Sequence, residues 1–532
     1  MGGMDRRYRG EIMNQQQVID IISKEFGITA KVSPMYAKIE EWRAWLEGNV
    51  KGFHEYEQLV DLSEKKYTKL HRHKTNMLLR GSEDWASILL NEKTHIEIED
   101  NASARWLLGD DLISGVLGES DFWRNANELI AMSRWAGTAA FEAYVKNMEV
   151  AEESRTLIRG AGIGMNYLCA DQIIPISHDN GILREAAFVS DREERGKVFQ
   201  QVSMHTLENG LYMITAFTID DQGQLFGDPI VIHTGSPVPW FSVVRKSGIN
   251  IFDYDSPFGV SIISGNEDIL KGLDTVFDNY ITDFILGRKM VFMNTSLMDR
   301  DDSGNVIPPQ RAGAQLFMFA GDRFKDDQLI KEYNPSLRVE ENSLALQKLL
   351  DQFSYAIGLG LRHYQFEAGT IQTATEYTGS KQDLVQNAAK EMISVEKALK
   401  QITKAVLWIG KNVLGAPVDP DTKITIIADD SYIIDQDSER KRWQTEVSMG
   451  IRSVAEYRMH FFGETEEEAK AMIEPTLLQM LEGKAAGIVS DVELRQFLFS
   501  DETPEESAQK LAEIRQNEPT TTQLIGEDKD ND

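Results

Sequence analysis

Residues 266–286 read NEDILKGLDTVFDNYITDFIL, and their apolar side chains recur every three or four positions. That period predicts an amphipathic α-helix with one apolar face and one charged face. The charged face is strongly acidic, and Lys271 is its single base. The apolar face consists of Ile269, Leu273, Val276, Tyr280 and Phe284, and the acidic face of Glu267, Asp268, Asp274, Asp278 and Asp283.

Two more helical patterns follow along the chain. One covers residues 340–360, and a longer one runs from Leu384 to Val413 before Gly415 and Pro417 end it. At a rise of about 1.5 Å per residue, the periodic part of the long helix spans roughly 45 Å. Residues 287–339 read instead as short strands and turns. The sequence therefore predicts two helices that flank a small β insertion, a layout unusual for an enzyme domain, and then one long helix.

The region before these helices divides by its apolar period. Residues 12–150 are predicted to be mainly helical, and from about 160 to 247 the period falls to two, which predicts an antiparallel strand meander. Asn209-Gly210 is a strong hairpin signal, and 221–223 is predicted to form the next turn. The glycine-rich run 160–164 favours a simple turn over a dinucleotide loop, because a strand meander and not a βαβ unit follows it. We therefore predict an α+β protein.

The C-terminal part is predicted to be a strand near 424–428 followed by helices. Four capping boxes mark the starts of these helices, at Ser453/Glu456, Thr465/Glu468, Ser490/Glu493 and Thr503/Glu506. The last residues, 518–532, contain few apolar side chains and are predicted to be disordered.

The net charge of the chain bears on which functional classes are compatible with the sequence. With 532 residues we expect about two to four domains, and 85 acidic against 56 basic residues give a net charge of −29. A protein that grips DNA tightly normally carries a basic face. Two interpretations stay open: an ordinary soluble surface, or a conduit that surrounds DNA without adhering to it. A single cysteine, Cys169, excludes an internal disulfide framework and is typical of a reducing compartment.

Motifs for chemistry are missing from the sequence. No phosphate-binding loop, zinc motif or nucleophile elbow occurs, and no apolar run is long enough to span a bilayer. Residues 299–304 begin like a calcium loop, but Gln310 stands where the bidentate glutamate belongs. Asp429-Asp430 is interpreted as a solvated pair. We therefore predict a protein that is not an enzyme and has no cofactor, metal or membrane anchor.

Short motifs spread over residues 41–475 carry a family resemblance. In this order they are EWRAW at 41–45 with Phe53-His54-x-Tyr56, WA-x-x-LLNE at 85–92, ADQIIP at 170–175 with DNG at 179–181, TATE at 373–376, DDS at 429–431 with IID at 433–435, 450–457, and FGETEEEA at 462–469. With these motifs in this order, the chain resembles the portal proteins of long-tailed bacteriophages, the minor capsid or portal family common in phages of Gram-positive bacteria.

The resemblance implies a domain plan and a ring of about twelve subunits. On that plan the chain consists of an N-terminal arm at 1–40, a wing with a helical part and then the β meander at 41–265, stem helices at 266–286 and 340–361, a clip at 287–339, a tunnel loop at 362–371, a long wing helix and strand at 372–436, a crown at 437–517 and an acidic tail at 518–532.

The resemblance also implies a function. The ring would occupy one vertex of the capsid in the virion, after assembly in the host cytoplasm. It would serve as the channel for DNA packaging and ejection and as the docking site for terminase and head–tail connector proteins. Its other partners would be the major capsid and scaffolding proteins, and double-stranded DNA would pass through without sequence-specific contacts.

Two sets of residues are expected to face the channel. The tunnel loop set is Arg362, His363, Tyr364, Gln365 and Phe366, and the stem set is Glu267, Asp274 and Asp278. For the loop, a plain helix–helix connection with Phe366 in the core is the alternative. For the whole chain, the alternative is another acidic phage head component, such as a scaffolding or internal capsid protein.

Overall fold

A computed structural model describes most of the chain. The described residues are 15–61, 66–110, 114–151, 154–194, 197–220, 222–287, 289–293, 302–304, 317–319, 330–365, 374–428, 436–449, 451–462, 465, 469, 484, 490–498 and 504–517. The chain separates into two compact units, 1–433 and 434–532. The described part is 45% helical and 26% strand, which confirms the α+β class. The predicted tail at 518–532 lies outside the described residues.

The first unit begins with helices and short strands that surround a tryptophan-rich core. Trp42 and Trp85 are fully buried there, as their apolar spacing predicts. The elements are α1 (Gln15–Phe26), α2 (Met35–Glu47), β1 (Glu55–Asp61), β2 (Lys66–His71), α3 (Met77–Leu89), β3 (His95–Ile98), α4 (Asn101–Leu108), α5 (Val116–Glu119) and α6 (Phe122–Trp135).

Two antiparallel sheets follow. A five-stranded sheet has the order β12-β11-β10-β9-β8, and a three-stranded sheet has the order β13-β4-β7. The strands are β4 (Thr138–Lys146), β5 (Glu149–Val150), β6 (Leu157–Arg159), β7 (Gly162–Cys169), β8 (Ile173–Asp179), β9 (Ile182–Glu194), β10 (Lys197–Glu208), β11 (Leu211–Ile219), β12 (Leu225–Ser236) and β13 (Phe241–Arg245). The run 160–164 leads into strand β7, so it opens no dinucleotide-binding unit.

The predicted hairpin at Asn209-Gly210 is confirmed. Both residues have positive φ, 51° and 83°, and Glu208 pairs directly with Leu211. Two successive positive φ angles belong to the two-residue turn whose twist matches antiparallel strands, and asparagine and glycine tolerate them best. The local sequence therefore fixes the register of β10 on β11.

The prediction of a mainly helical region at 12–150 is wrong for several segments. Strands β1 to β5 lie within it, and β4 is the central strand of its sheet. The first six residues of β4 are all buried, so no alternation of apolar and polar residues marks it as a strand. A continuous buried run does not distinguish strand from helix by its period.

The helix–insertion–helix layout is present as predicted. The elements are α7 (Glu267–Leu286), β14 (Met290–Met293), β15 (Phe317–Phe319), β16 (Ile330–Tyr333), α8 (Val339–Ala356), α9 (Ala374–Asn412) and β17 (Ile424–Ile427). The long helix α9 packs against β13, β4, α3 and β17. Strand β17 pairs with β3 and joins distant parts of the first unit.

A separate apolar cluster fixes α1 to the five-stranded sheet. Val18, Ile19 and Ile22 pack there on buried side chains of the sheet such as Val202 and Phe217. The segment predicted as an N-terminal arm thus contains a helix with its own core contacts.

The second unit is helical where it is described. Its helices are α10 (Gln436–Ser448), α11 (Val454–Phe462), α12 (Asp491–Leu498) and α13 (Pro504–Asn517). Two capping boxes are confirmed, since Ser453 exchanges hydrogen bonds with Glu456 and Ser490 with Glu493. The backbone N–H of Ser453 and of Ser490 lowers the pKa of its partner carboxyl. The boxes at 465/468 and 503/506 each include a residue outside the described ranges.

Candidate functional site

The helices α7 and α8 form an antiparallel pair. Gly272 of α7 lies opposite Leu349 of α8, so closely that a Cβ on Gly272 would come within 3.2 Å of Leu349 Cδ2. At the other end, the Arg338 guanidinium donates to the Asp283 carboxylate at 2.7 Å, and Asn342 Nδ2 donates at 2.9 Å. These hydrogen bonds lower the pKa of Asp283. A small residue at one end and charge-assisted bonds at the other fix the pair in register.

The chain leaves and re-enters this pair through adjacent strands. Strand β14, after α7, pairs antiparallel with β16, which precedes α8, and β15 pairs parallel with β14. Lys289 Nζ and Glu332 Oε1 are 2.6 Å apart beside this sheet. The described strands of the insertion thus form one small sheet next to the ends of the helix pair.

Only one end of the helix pair is buried in the first unit. The fully buried residues are Leu270, Leu273 and Asp274 in α7, and Leu350, Phe353 and Ser354 in α8. The half nearest the insertion leaves large apolar side chains in solvent: Leu286 is 65% exposed and Leu344 63%, and Phe284, Leu337 and Val339 are also exposed. Apolar patches of this kind mark surfaces that another protein surface covers.

Asp274 does not face solvent, which corrects its predicted role as a channel residue. It is only 5% exposed. One carboxylate oxygen accepts hydrogen bonds from the Thr75 backbone N–H at 2.7 Å and the Thr75 hydroxyl at 2.8 Å. The other lies 3.0 Å from His54 Nε2. A buried carboxylate needs such partners, and here they fix α7 to the segment after β2.

The other two stem acids are partly covered by their own chain. Asp278 accepts from the His73 backbone N–H at 3.0 Å and lies 2.8 Å from His73 Nδ1. Glu267 accepts from Trp42 Nε1 at 3.4 Å. The acidic face of α7 is thus directed largely towards residues 42–75. A channel-facing role of Glu267 and Asp278 stays a prediction.

The connection after α8 is a tight, hydrogen-bonded turn. Trp85 Nε1 donates to the Ile357 carbonyl at 2.9 Å. Gly358 and Gly360 have φ angles of 86° and 83°, which glycine adopts without strain. Arg362 also has a positive φ of 62°, and its side chain is exposed. The backbone is thus turned sharply at Gly358 and Gly360, just before the predicted tunnel residues, and at Arg362, the first of them.

Tyr364 belongs to the core side of this connection, which corrects its predicted role. Its hydroxyl donates to Asp84 Oδ2 of α3 at 2.7 Å, and its ring centroid is 6.0 Å from that of Phe353. Burial, together with the Asp84 carboxylate, raises the pKa of this hydroxyl. Gln347 Nε2 donates to the Tyr364 carbonyl at 2.8 Å. Tyr364 is therefore directed into its own chain.

The remaining loop residues have different surroundings. Arg362 and Gln365 are exposed, and His363 Nε2 lies 3.9 Å from the Asp84 carboxylate. Phe366 lies outside the described residues. Among the described members of the predicted set, Arg362, His363 and Gln365 are thus the exposed residues.

One buried ion pair was not predicted from the sequence. Arg134 of α6 is fully buried, and its guanidinium donates to Glu391 of α9. Glu391 also accepts from the Ser247 backbone N–H at 3.0 Å. A signal was present, because Glu391 lies between Ala388 and Val395 on the apolar stripe of α9, where a charge requires a partner.

A second buried polar cluster joins the two sheets. Ser203 Oγ and His205 Nε2 both contact the Glu142 carboxylate, the latter at 2.9 Å, and Asn166 Nδ2 donates to it at 2.9 Å. The histidine is not placed between a hydroxyl and an acid, as nucleophile activation requires. Burial raises the pKa of the Cys169 thiol, which is the reverse of what a reactive thiolate needs.

The described residues contain neither a cluster that could hold a metal ion nor a helix that could span a membrane. No group of three or more His, Cys, Asp or Glu side chains there is arranged to hold a metal ion. No described helix combines the length and apolarity that crossing a membrane requires.

Comparison with known proteins gave distant structural matches. No family model and no curated protein matches the chain. Among solved structures, a chain from the neck of a native GTA particle, computed with C12 symmetry, is similar with a TM-score of 0.34 and 10% sequence identity. The match covers 71% of this chain and 88% of that one.

Proposed function

We propose that this chain is a portal protein: one subunit of a ring at a capsid vertex of a tailed bacteriophage, through which DNA is packaged and ejected. The family resemblance of the sequence supports this proposal. So does the helix pair with its intervening sheet, which corresponds to the stem and clip that the family plan requires. The role is structural and not catalytic.

The observation that carries the proposal is the exposed half of the α7–α8 pair. Its large apolar side chains are 37–65% exposed, whereas the buried residues of both helices lie in the other half of the pair. In a ring, the neighbouring copy's helix pair would cover them, because each subunit presents the same exposed surface. The net charge of −29 fits a tube that surrounds DNA and offers few phosphate anchors. Terminase and connector proteins would dock on the clip at 287–339.

We expect the purified protein to form a closed ring of about twelve subunits without DNA. Replacing Leu286 and Leu344 together by serine should shift the assembly midpoint to at least tenfold higher concentration, because about 1–2 kcal/mol of apolar contact is lost per side chain. Mass photometry measures the ring fraction, and negative-stain images show whether a central hole is present.

The matched control is Phe226→Ser, an exposed aromatic residue of β12 outside the helix pair. Its ring fraction should equal that of the wild type. A wild-type protein that stays monomeric at micromolar concentration over a range of salt would contradict the proposal. An open, polydisperse assembly would favour the scaffolding alternative.

The tunnel loop gives a second test. Arg362→Ala should leave the melting temperature and the ring unchanged but shorten the packaged genome, because Arg362 is exposed and has no core partner among the described residues. Tyr364→Ala should instead destabilise the subunit by about 2–3 kcal/mol, through loss of its packing and of the bond to Asp84. Calorimetry measures the stability, and gel analysis of DNA from mutant particles measures genome length. If intact Arg362→Ala rings package DNA normally, the assignment of Arg362 to the channel is wrong.

A further inference from the structure

A groove in the first unit differs in charge from the rest of the chain. It has a volume of about 480 Å³ and lies between the β8–β9 turn, the end of β13 and one face of α9. Four cations line it, Arg245, Lys246, Lys390 and Lys397, and no acidic residue does. In a chain with a net charge of −29, such a cluster is a local exception.

The four cations of the groove lack an ion-pair partner among the described residues, although the Glu391 carboxylate, which pairs with Arg134, also acts electrostatically on Lys246. Lys246 Nζ donates only to the Ser247 carbonyl, at 3.1 Å, and Arg245 Nε is buried without a hydrogen-bond partner. Burial lowers the pKa of both Arg245 and Lys246. An anionic group in the groove would supply the missing partner.

The groove also has an apolar component. Ile393 of α9 is 69% exposed between Lys390 and Lys397, and Ile182 is exposed across the groove. Phosphate groups make no apolar contacts with such aliphatic side chains. A surface that mixes cations and aliphatic side chains fits a polypeptide segment with acidic and apolar residues better than it fits a nucleic acid.

The chain itself presents a segment of that chemistry. Residues 248–257 read GINIFDYDSP, and their apolar side chains point into solvent: Ile249 is 72% and Tyr254 78% exposed, and Ile251 is exposed as well. Asp253 and Asp255 supply the negative charge. Gly248 and Pro257, at the two ends of the loop, line the groove, whereas Ile249, Ile251 and Tyr254 do not.

The loop is held in a defined shape. Asn250 is buried, donates from Nδ2 to the Phe258 carbonyl at 3.0 Å, and accepts at Oδ1 from the backbone N–H groups of Phe252 and Asp253. Phe252 packs on Trp42, with ring centroids 6.4 Å apart. A preorganised loop loses little conformational entropy when it binds, so its exposed side chains favour association.

We propose that the cationic groove binds the acidic, apolar loop 249–255 of a second copy of this chain. Because the two surfaces differ, they can meet head-to-tail, and in a ring this contact repeats from copy to copy until the assembly closes. The inference rests on the proposed ring and names the contact between neighbouring subunits. Because Asp253 and Asp255 would meet Lys390 and Lys397, the contact should weaken as salt rises.

The test reverses the charge of each surface. One variant carries Lys390→Glu with Lys397→Glu, and the other carries Asp253→Lys with Asp255→Lys. Each alone should raise the assembly midpoint at least tenfold by mass photometry. An equimolar mixture of the two should assemble again, because every contact between unlike copies joins opposite charges. The control, Lys69→Glu with Lys146→Glu, makes the same charge change at two exposed strand positions and should assemble like the wild type.

The outcomes separate this inference from the proposed function. If the wild type forms rings and both reversed variants do too, the ring stands and the loop–groove contact is wrong. If both variants fail and the mixture does not recover, the two surfaces do not meet each other, which also overturns the contact. Binding of a 30-base-pair DNA duplex that the groove variant abolishes, with normal rings, would assign the groove to nucleic acid instead. Circular dichroism spectra matching the wild type show that each variant is folded.

Discussion

Replacing Glu391 by alanine is expected to lower the free energy of unfolding by about 3–5 kcal/mol. Arg134 is fully buried, and Glu391 is its ion-pair partner. Without the carboxylate the guanidinium stays buried and uncompensated, which costs far more than the pair itself contributes. The substitution also removes the acceptor of the Ser247 N–H. Urea denaturation followed by tryptophan fluorescence measures the change.

Two companion variants make this prediction specific. Glu396→Ala, on the same helix, removes a partly exposed pair with Lys400 and should cost less than about 1 kcal/mol. Arg134→Met with Glu391→Leu replaces both charges by apolar groups and should recover most of the loss. If Glu391→Ala lowers the free energy of unfolding by no more than Glu396→Ala does, the buried Arg134–Glu391 pair does not stabilise the subunit as proposed.

Replacing Asp274 by alanine is expected to destabilise the first unit by about 2–4 kcal/mol. The Thr75 backbone N–H, the Thr75 hydroxyl and the buried His54 would then lose their acceptor. The first half of α7 would loosen from residues 54–75. Rings should therefore form only at a higher protein concentration than in the wild type. Calorimetry gives the stability, and mass photometry gives the assembly midpoint.

The same helix supplies the comparison. Asp268 is almost fully exposed and pairs with Lys271 only three residues away, so Asp268→Ala should change the stability by less than about 0.5 kcal/mol. Equal losses for the two variants would mean that Asp274 is not a special anchor. If the Asp274→Ala protein is as stable as the wild type but no longer forms rings, Asp274 acts in the contact between subunits and not in the stability of the subunit.

Local periodicity predicted the helices well because it depends only on neighbours in sequence. The pattern at 266–286 became α7 within one residue, and the pattern at 340–360 became α8 within a few. The long helix begins at Ala374, ten residues before the periodic stripe that marked it. Strand β4 was missed because its continuous burial removes the alternation by which a strand is recognised.

The surroundings of the candidate site residues could not be predicted in the same way. Asp274 and Tyr364 looked like solvent-facing residues, yet their partners Thr75 and Asp84 lie 199 and 280 residues away in sequence. Contacts at such separation depend on the whole fold, and a single sequence carries no local sign of them. Arg362 differs because it is exposed and has no such partner among the described residues, and its role in the channel stays a prediction.

The pairing of β3 with β17 sets the order in which a newly made chain can fold. The Asp100 N–H donates to the hydroxyl of Thr422, 322 residues later, beside the paired strands. At translation rates of about 5–20 residues per second, β3 waits roughly 16–64 s for its partner. The first unit therefore cannot close until β17 has been synthesised, about 320 residues after β3.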